Sequence, residues 1–228
     1  WYGALCVPLH LPAKERARVR FVLAWHFPNR MRSIHYGWGP AAPFQYDHFL
    51  GNAYAREFPD ALSVAQYALE HAERLADETR RFYDAFYSTT LPHYVLDAIS
   101  ANLAILRSPI YVWLFDDSVG GFEGTDGCCP MNCTHVYNYA LGMAYFFPRL
   151  EQRVREIDLW HNKDPERHFI PHRTILPLYL PRLGDTIGGP YRRALDGELG
   201  TILKVYREWM VSGDAEWLAR VWPATKQV

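Results

Sequence analysis

At Pro59 the spacing of apolar and small residues turns helical, and that spacing then recurs through most of the chain. Ala65, Leu69, Ala72, Ala76, Thr79, Tyr83 and Phe86 fall three and four apart, which predicts one long helix whose small residues permit close packing. Pro92 opens a second helix bearing Val95, Ile99, Leu103 and Leu106, which stops before Ser108-Pro109. A third is expected from Thr134, interrupted at Pro148 and resumed through Leu150, Val154 and Ile157. A fourth carries Ile202, Val205, Tyr206, Trp209 and Met210 and ends at Gly213. Asp214 can then cap a helix holding Trp217, Leu218, Val221 and Trp222, and Pro223 suits the first turn of another. Between the second and third helices, IYVWLF (110–115) reads as a short strand. Long helices joined by loops with short hairpins imply a mainly α architecture, a toroid or bundle, with the chemistry in the loops.

Ahead of Pro59 the text differs. In ARVRFVLAW, Val19, Phe21, Leu23 and Trp25 alternate with Arg18 and Arg20, so residues 1–27 read as strand. Residues 28–59, rich in Pro, Gly, Asn and aromatics, read as an ordered irregular connection, with a domain boundary near 28. The chain opens on Trp1 inside strand-like text and stops at Val228 in helical text, so an internal fragment of a longer protein is expected.

With 228 residues, 49% hydrophobic and 15% aromatic, the chain can bury a sizeable core. Lys plus Arg (24) nearly balances Asp plus Glu (25) without a basic cluster, which argues against a nucleic-acid partner or a polybasic membrane patch. No apolar run reaches the roughly 18 residues of a membrane span. Four cysteines without a regular framework fit a reducing cytosol, so a cytoplasmic location is expected, with any signal lying upstream of Trp1.

The stretch GFEGTDGCCPMNCTH (121–135) concentrates the reactive side chains. Cys128, Cys129, Cys133 and His135 suggest a ligand cluster, yet adjacent Cys128 and Cys129 point apart and do not easily share one tetrahedral ion. Small thiols packing a tight loop are the expectation there, and Cys6 reads as a core residue; no metal and no cofactor is expected. Glu123 follows a strand and sits between glycines that let a ligand approach the backbone. Around it, Trp113, Phe115, Phe122, Asn132, Tyr137 and Asn138 have the composition of a sugar cleft, where rings stack on a pyranose and amides meet hydroxyls.

Five blocks, FVLAWHFPNR (21–30), STTLPHYVLDAISANLAILRSP (88–109), GFEG through CCPMNCTHVYNYALGMAYFFPRLEQRVREID (121–158), FIPH (169–172) and LKVYREWMVSGDAEWLARVWP (203–223), resemble glycoside hydrolase family 116. That is the family of non-lysosomal glucosylceramidases and bile acid β-glucosidases. The resemblance implies part of an (α/α)6 barrel catalytic domain over 60–228, preceded by the last strands of an N-terminal β-sandwich over 1–27 and an interdomain connection over 28–59. It implies a retaining β-glucosidase acting on a glycolipid or oligosaccharide through a covalent glycosyl-enzyme intermediate.

Residue by residue, the resemblance puts the nucleophile at Glu123 and a sugar-binding histidine at His172, within Ile170-Pro171-His172. The family's Tyr-Asp-Val, whose aspartate holds sugar hydroxyls, is replaced here by Thr134-His135-Val136. Thr134 and His135 therefore stand at a substrate-binding position with altered chemistry, since an imidazole cannot accept two hydroxyl hydrogen bonds as a carboxylate does. The acid/base aspartate follows the block ending in Trp222-Pro223 and is expected beyond this chain, so the 228-residue piece alone is expected to be inactive. Two other classes fit the residues less well: a non-catalytic helical carbohydrate-binding scaffold, and a Cys/His metal module.

Overall fold

The computed structural model describes residues 3–35, 44–107, 111–121, 133–139, 141–174, 176–179 and 192–228. Among these residues it is mainly helical, with two small antiparallel strand pairs. Strand β1 (Met31–His35) pairs with β2 (Phe44–Phe49), with a register shift between Arg32 and Ser33. The stretch 28–59 is thus more regular than its Pro- and Gly-rich composition suggests.

Residues 3–30, expected as strand up to residue 27, form no strand among the described residues. Their burial still alternates: Val22, Ala24 and His26 are half-buried while Phe21, Leu23, Trp25 and Phe27 are exposed. An extended chain shows that alternation with or without a neighbour, and a strand exists only where a ladder partner is present. Side chains tie this segment down instead. Asn52 Nδ2 and the Tyr54 hydroxyl donate to the Phe27 carbonyl at 2.7 and 2.9 Å, and Arg30 Nε donates to Asn52 Oδ1 at 2.7 Å.

The expected long helix after Pro59 divides at His71 into α1 (Ala61–Glu70) and α2 (Ala72–Tyr87). Asp60 caps α1 by accepting the Ser63 amide at 2.7 Å. At His71 the backbone leaves the helical region, with φ −104° and ψ 13°, and its ring packs edge-on to Tyr67. Helix α3 (His93–Leu103) starts after Pro92, as expected. Strands β3 (Tyr111–Trp113) and β4 (Val119–Gly121) form the hairpin whose first strand was expected at 110–115.

Beyond the hairpin, Cys133, Thr134 and His135 form a bridge and a turn rather than the start of a helix. Helical structure begins with a single 3-10 turn at Val136–Tyr139 and continues as α4 (Met143–Phe146) and α5 (Pro148–Glu156). The Thr134 amide donates instead to the His172 carbonyl, 2.8 Å away, across chain segments. Pro148 sits at the first turn of α5, where its missing N–H is no loss. Helix α5 then widens into a π-helical turn over Ile157–Asn162.

Helix α6 (Leu195–Ser212) ends at Gly213, whose φ of 68° few other residues adopt readily. Asp214 accepts the Trp217 amide at 2.8 Å and opens α7 (Ala215–Thr225). Pro223 lies inside α7 rather than starting a new helix. There it forgoes the hydrogen bond that an N–H at this position would make to the Ala219 carbonyl.

Among the described residues, three apolar clusters hold these elements. Tyr111, Val119, Tyr137, Met143 and Val154 join the β3–β4 hairpin to α4 and α5. Leu50, Val112, Leu114 and Leu176 join the same hairpin to the end of β2. Leu159, Ile170, Val205, Trp217 and Val221 join the π-helical turn to α6 and α7.

Candidate functional site

Three short segments meet at the N-terminal end of α6. Cys133 bridges Arg173, and Pro171 bridges Arg193, so residues 133–135, 171–173 and 192–193 lie side by side. The Thr134 amide and hydroxyl both donate to the His172 carbonyl, at 2.8 and 2.9 Å, and the His172 amide donates to the Arg192 carbonyl. Backbone hydrogen bonds therefore fix the spacing of the side chains here.

The N-terminal turns of α6 press into this layer through glycines. A Cβ added at Gly197 would lie 2.6 Å from Thr134 Oγ1 and 2.9 Å from the His135 amide nitrogen. One turn on, a Cβ at Gly200 would meet the Asn138 side chain at 2.1 Å. The first turn is further fastened by Glu198, which accepts from Arg193 Nη2 at 2.7 Å.

Of the residues expected to contact substrate, the structure brings Thr134, His135 and His172 together. The rings of His135 and His172 meet edge to face with centroids 4.8 Å apart, and both are half-buried. Thr134 is buried, its hydroxyl engaged with the His172 carbonyl. Cys133, fully buried, sets its Sγ 3.2 Å from His172 Nε2. Asp196, in the first turn of α6, lies with Oδ2 3.7 Å from His135 Nδ1. The donor atoms of Cys133, His135 and His172 all fall within 4.8 Å of one another, close enough for one metal ion to be held between them. Glu123, Cys128 and Cys129 lie outside the described residues.

Behind Thr134 lies a buried charged network that sequence reasoning missed. A cavity large enough for about one water is lined by Thr134, Tyr137, Val154, Arg155, Asp158 and Lys204, of volume ≈ 10 Å³. Arg155 Nη1 lies 3.1 Å from Asp158 Oδ2 and Nε 3.7 Å from Glu208 Oε2, ion pairs in which neither nitrogen makes a hydrogen bond among the described residues. Glu151 accepts from the Tyr137 hydroxyl at 2.6 Å and from Arg207. Lys204 donates to Asn138 Oδ1 and lies 5.4 Å from the Tyr137 ring centroid.

Burial governs how these groups hold protons. It pushes Lys204 down to about 7, with the neighbouring Arg155 charge adding to the fall. It pushes the Asp158 and Glu208 carboxyls up, against the pull of Arg155, and raises the Tyr137 phenol well above its ordinary value. Burial also opposes the charge on Arg155, but Asp158, Glu208 and Glu151 outweigh it and hold the guanidinium protonated. The sequence signal was available in LEQRVREID, where Glu151, Arg155 and Asp158 recur on the same helical spacing as Leu150, Val154 and Ile157.

Residues 1–75 match the family model described as beta-glucosidase 2, glycosyl-hydrolase family 116 N-term. This is the family that the five sequence blocks resemble, and the match supports a glycoside hydrolase family for the chain. No curated protein matches the chain. Among the described residues, no helix is long and apolar enough to cross a membrane.

Proposed function

We propose that this chain is the part of a retaining β-glucosidase of the glucosylceramidase type that carries the nucleophile, Glu123. The observation behind this reading is the pairing of His135 and His172. They come from separate segments, stand at two positions where the family resemblance expects contact with sugar, and lie with their rings 4.8 Å apart.

In this reading the Glu123 carboxylate attacks the anomeric carbon as the bond to the aglycone oxygen breaks. A second carboxyl, about 5–5.5 Å from the first, protonates that oxygen. The resulting glycosyl ester is hydrolysed by water, which the second group, now a carboxylate, deprotonates. The family resemblance assigns that acid/base role to an aspartate downstream of Trp222-Pro223. His172 and His135 hydrogen-bond the sugar hydroxyls, and the aglycone is a glycolipid or an oligosaccharide. Because His135 replaces a carboxylate, it offers one hydrogen bond where the family pattern has a two-point acceptor, which weakens preference for one particular diol.

Glu123→Gln in the full-length protein should retain glucoside binding and lower kcat by on the order of 10⁴-fold or more. A 2-deoxy-2-fluoroglucoside should label Glu123 in the unmutated enzyme, as read by peptide mass spectrometry. Labelling of a different carboxylate would overturn the assignment.

A further inference from the structure

We infer that Cys133, His135 and His172 form a binding site for a divalent ion of the zinc class. The sequence spacing argued against zinc because Cys128 and Cys129 are adjacent. The folded chain offers a different set, in which His172, far away in sequence, joins Cys133 and His135.

A tetrahedral zinc ion with Zn–S near 2.3 Å and Zn–N near 2.0–2.1 Å needs its ligand atoms about 3.3–3.6 Å apart. Cys133 Sγ and His172 Nε2 are already 3.2 Å apart, and the three donors lie within 4.8 Å of one another. The wider separations involve the half-buried His135, so binding requires its ring to turn toward the other two donors. The ligands stand on backbone that hydrogen bonds hold in place: Cys133 bridges Arg173, and the Thr134 amide donates to the His172 carbonyl. Such prior ordering removes much of the entropy that a flexible site loses on binding. Asp196, 3.7 Å from His135 Nδ1, is a carboxylate of the kind that orients metal-bound imidazoles.

The donor set is one thiolate and two imidazoles, borderline to soft, which suits zinc and disfavours magnesium or calcium. On binding, the Cys133 thiol proton passes to solvent and both imidazoles ligate in their neutral form. Three protein ligands leave a fourth position open, which water or a hydroxyl of a ligand can fill. The inference shares His135 and His172 with the glycosidase reading but rests on the positions of the three side chains, and metal binding tests it independently of sugar hydrolysis.

The test uses cobalt as a spectroscopic substitute for zinc. Chelator-treated protein titrated with Co²⁺ should bind one ion per chain, showing a thiolate-to-cobalt charge-transfer band and the intense visible bands of a tetrahedral site. Excess Zn²⁺ should abolish both. Cys133→Ser should remove the charge-transfer band, and His135→Gln or His172→Ala should weaken binding by on the order of 10–100-fold or more. The half-buried His135→Gln variant, with helix content checked by circular dichroism, decides the matter where a variant at buried Cys133 does not fold. Absence of stoichiometric binding overturns the site. So does a charge-transfer band that persists in Cys133→Ser, or an affinity that His135→Gln leaves unchanged.

Discussion

Lys204 shows how a single residue can make stability depend on pH. Its amine is buried among Asn138, Tyr137 and Arg155, and its pKa falls from 10.5 to about 7. Between those values the unfolded chain binds more protons at this residue than the native one, so the residue's contribution to stability grows as pH rises from about 7 and is lost as pH falls back through it. Asp158 and Glu208 work in the opposite sense. Their raised native pKa values make their contribution decline as pH rises above the ordinary carboxylate range. Replacing Lys204 isolates its share. Chemical denaturation of wild type and Lys204→Met from pH 7 to 10 should give a more positive slope of stability against pH for the wild type, by at most about 1.4 kcal/mol per pH unit. Equal slopes would mean that Lys204 keeps an ordinary pKa in the fold. At this scale the sequence was half legible. The family blocks pointed to Thr134, His135 and His172, which do converge, but Cys133 and His172 meet only through pairing between distant segments. Asp196 gave no local signal, since an aspartate in a first helical turn is ordinary.

At the scale of elements, the same contrast separates ends from interiors. Pro92, Gly213 and Asp214 mark helix boundaries by local backbone chemistry, and the structure agrees with each. Periodicity does not report the break at His71, whose ring lies against Tyr67 one turn back, or the turn at Thr134, whose amide pairs with the His172 carbonyl of a distant segment. The approach of α6 to residues 134–138 is legible in DGELG once its glycines are seen as contact points. An alanine normally strengthens a helix interior relative to glycine by about 0.8–1.0 kcal/mol. At Gly197 it should instead destabilise by about 1–3 kcal/mol, because the new Cβ meets the His135 amide nitrogen at 2.9 Å and backbone cannot step aside. At Gly200 the obstacle is the end of the Asn138 side chain, which can rotate, so Gly200→Ala should cost less. Urea denaturation of both variants checks the order. A Gly197→Ala protein as stable as wild type would show that α6 does not sit this close.

For the molecule as a whole, the burial pattern sets polar and apolar residues against their usual places. Glu151, Arg155, Glu208 and Lys204 are buried, while Leu195, Leu199, Leu203, Tyr206 and Met210 form an exposed stripe along α6. A charged interior is tolerable because each of its members has an opposite charge or a hydrogen-bonding group close by, and removing one partner from such a set typically costs about 3–5 kcal/mol. The exposed stripe has no comparable compensation among the described residues. Beside it, an apolar groove of ≈ 530 Å³ between α6 and α7 is lined by Ile202, Tyr206, Trp209, Leu218 and Trp222 among others. Contiguous apolar surface of this kind binds hydrophobic dyes and promotes self-association. The 228-residue chain should therefore raise the fluorescence of an anilinonaphthalene dye and associate with increasing concentration. The double variant Leu199→Glu, Leu203→Glu should reduce both while leaving the far-ultraviolet spectrum and melting temperature close to those of wild type, since both leucines are more than 60% exposed. A loss of several degrees in melting temperature would instead mean that α6 buries this face in solution.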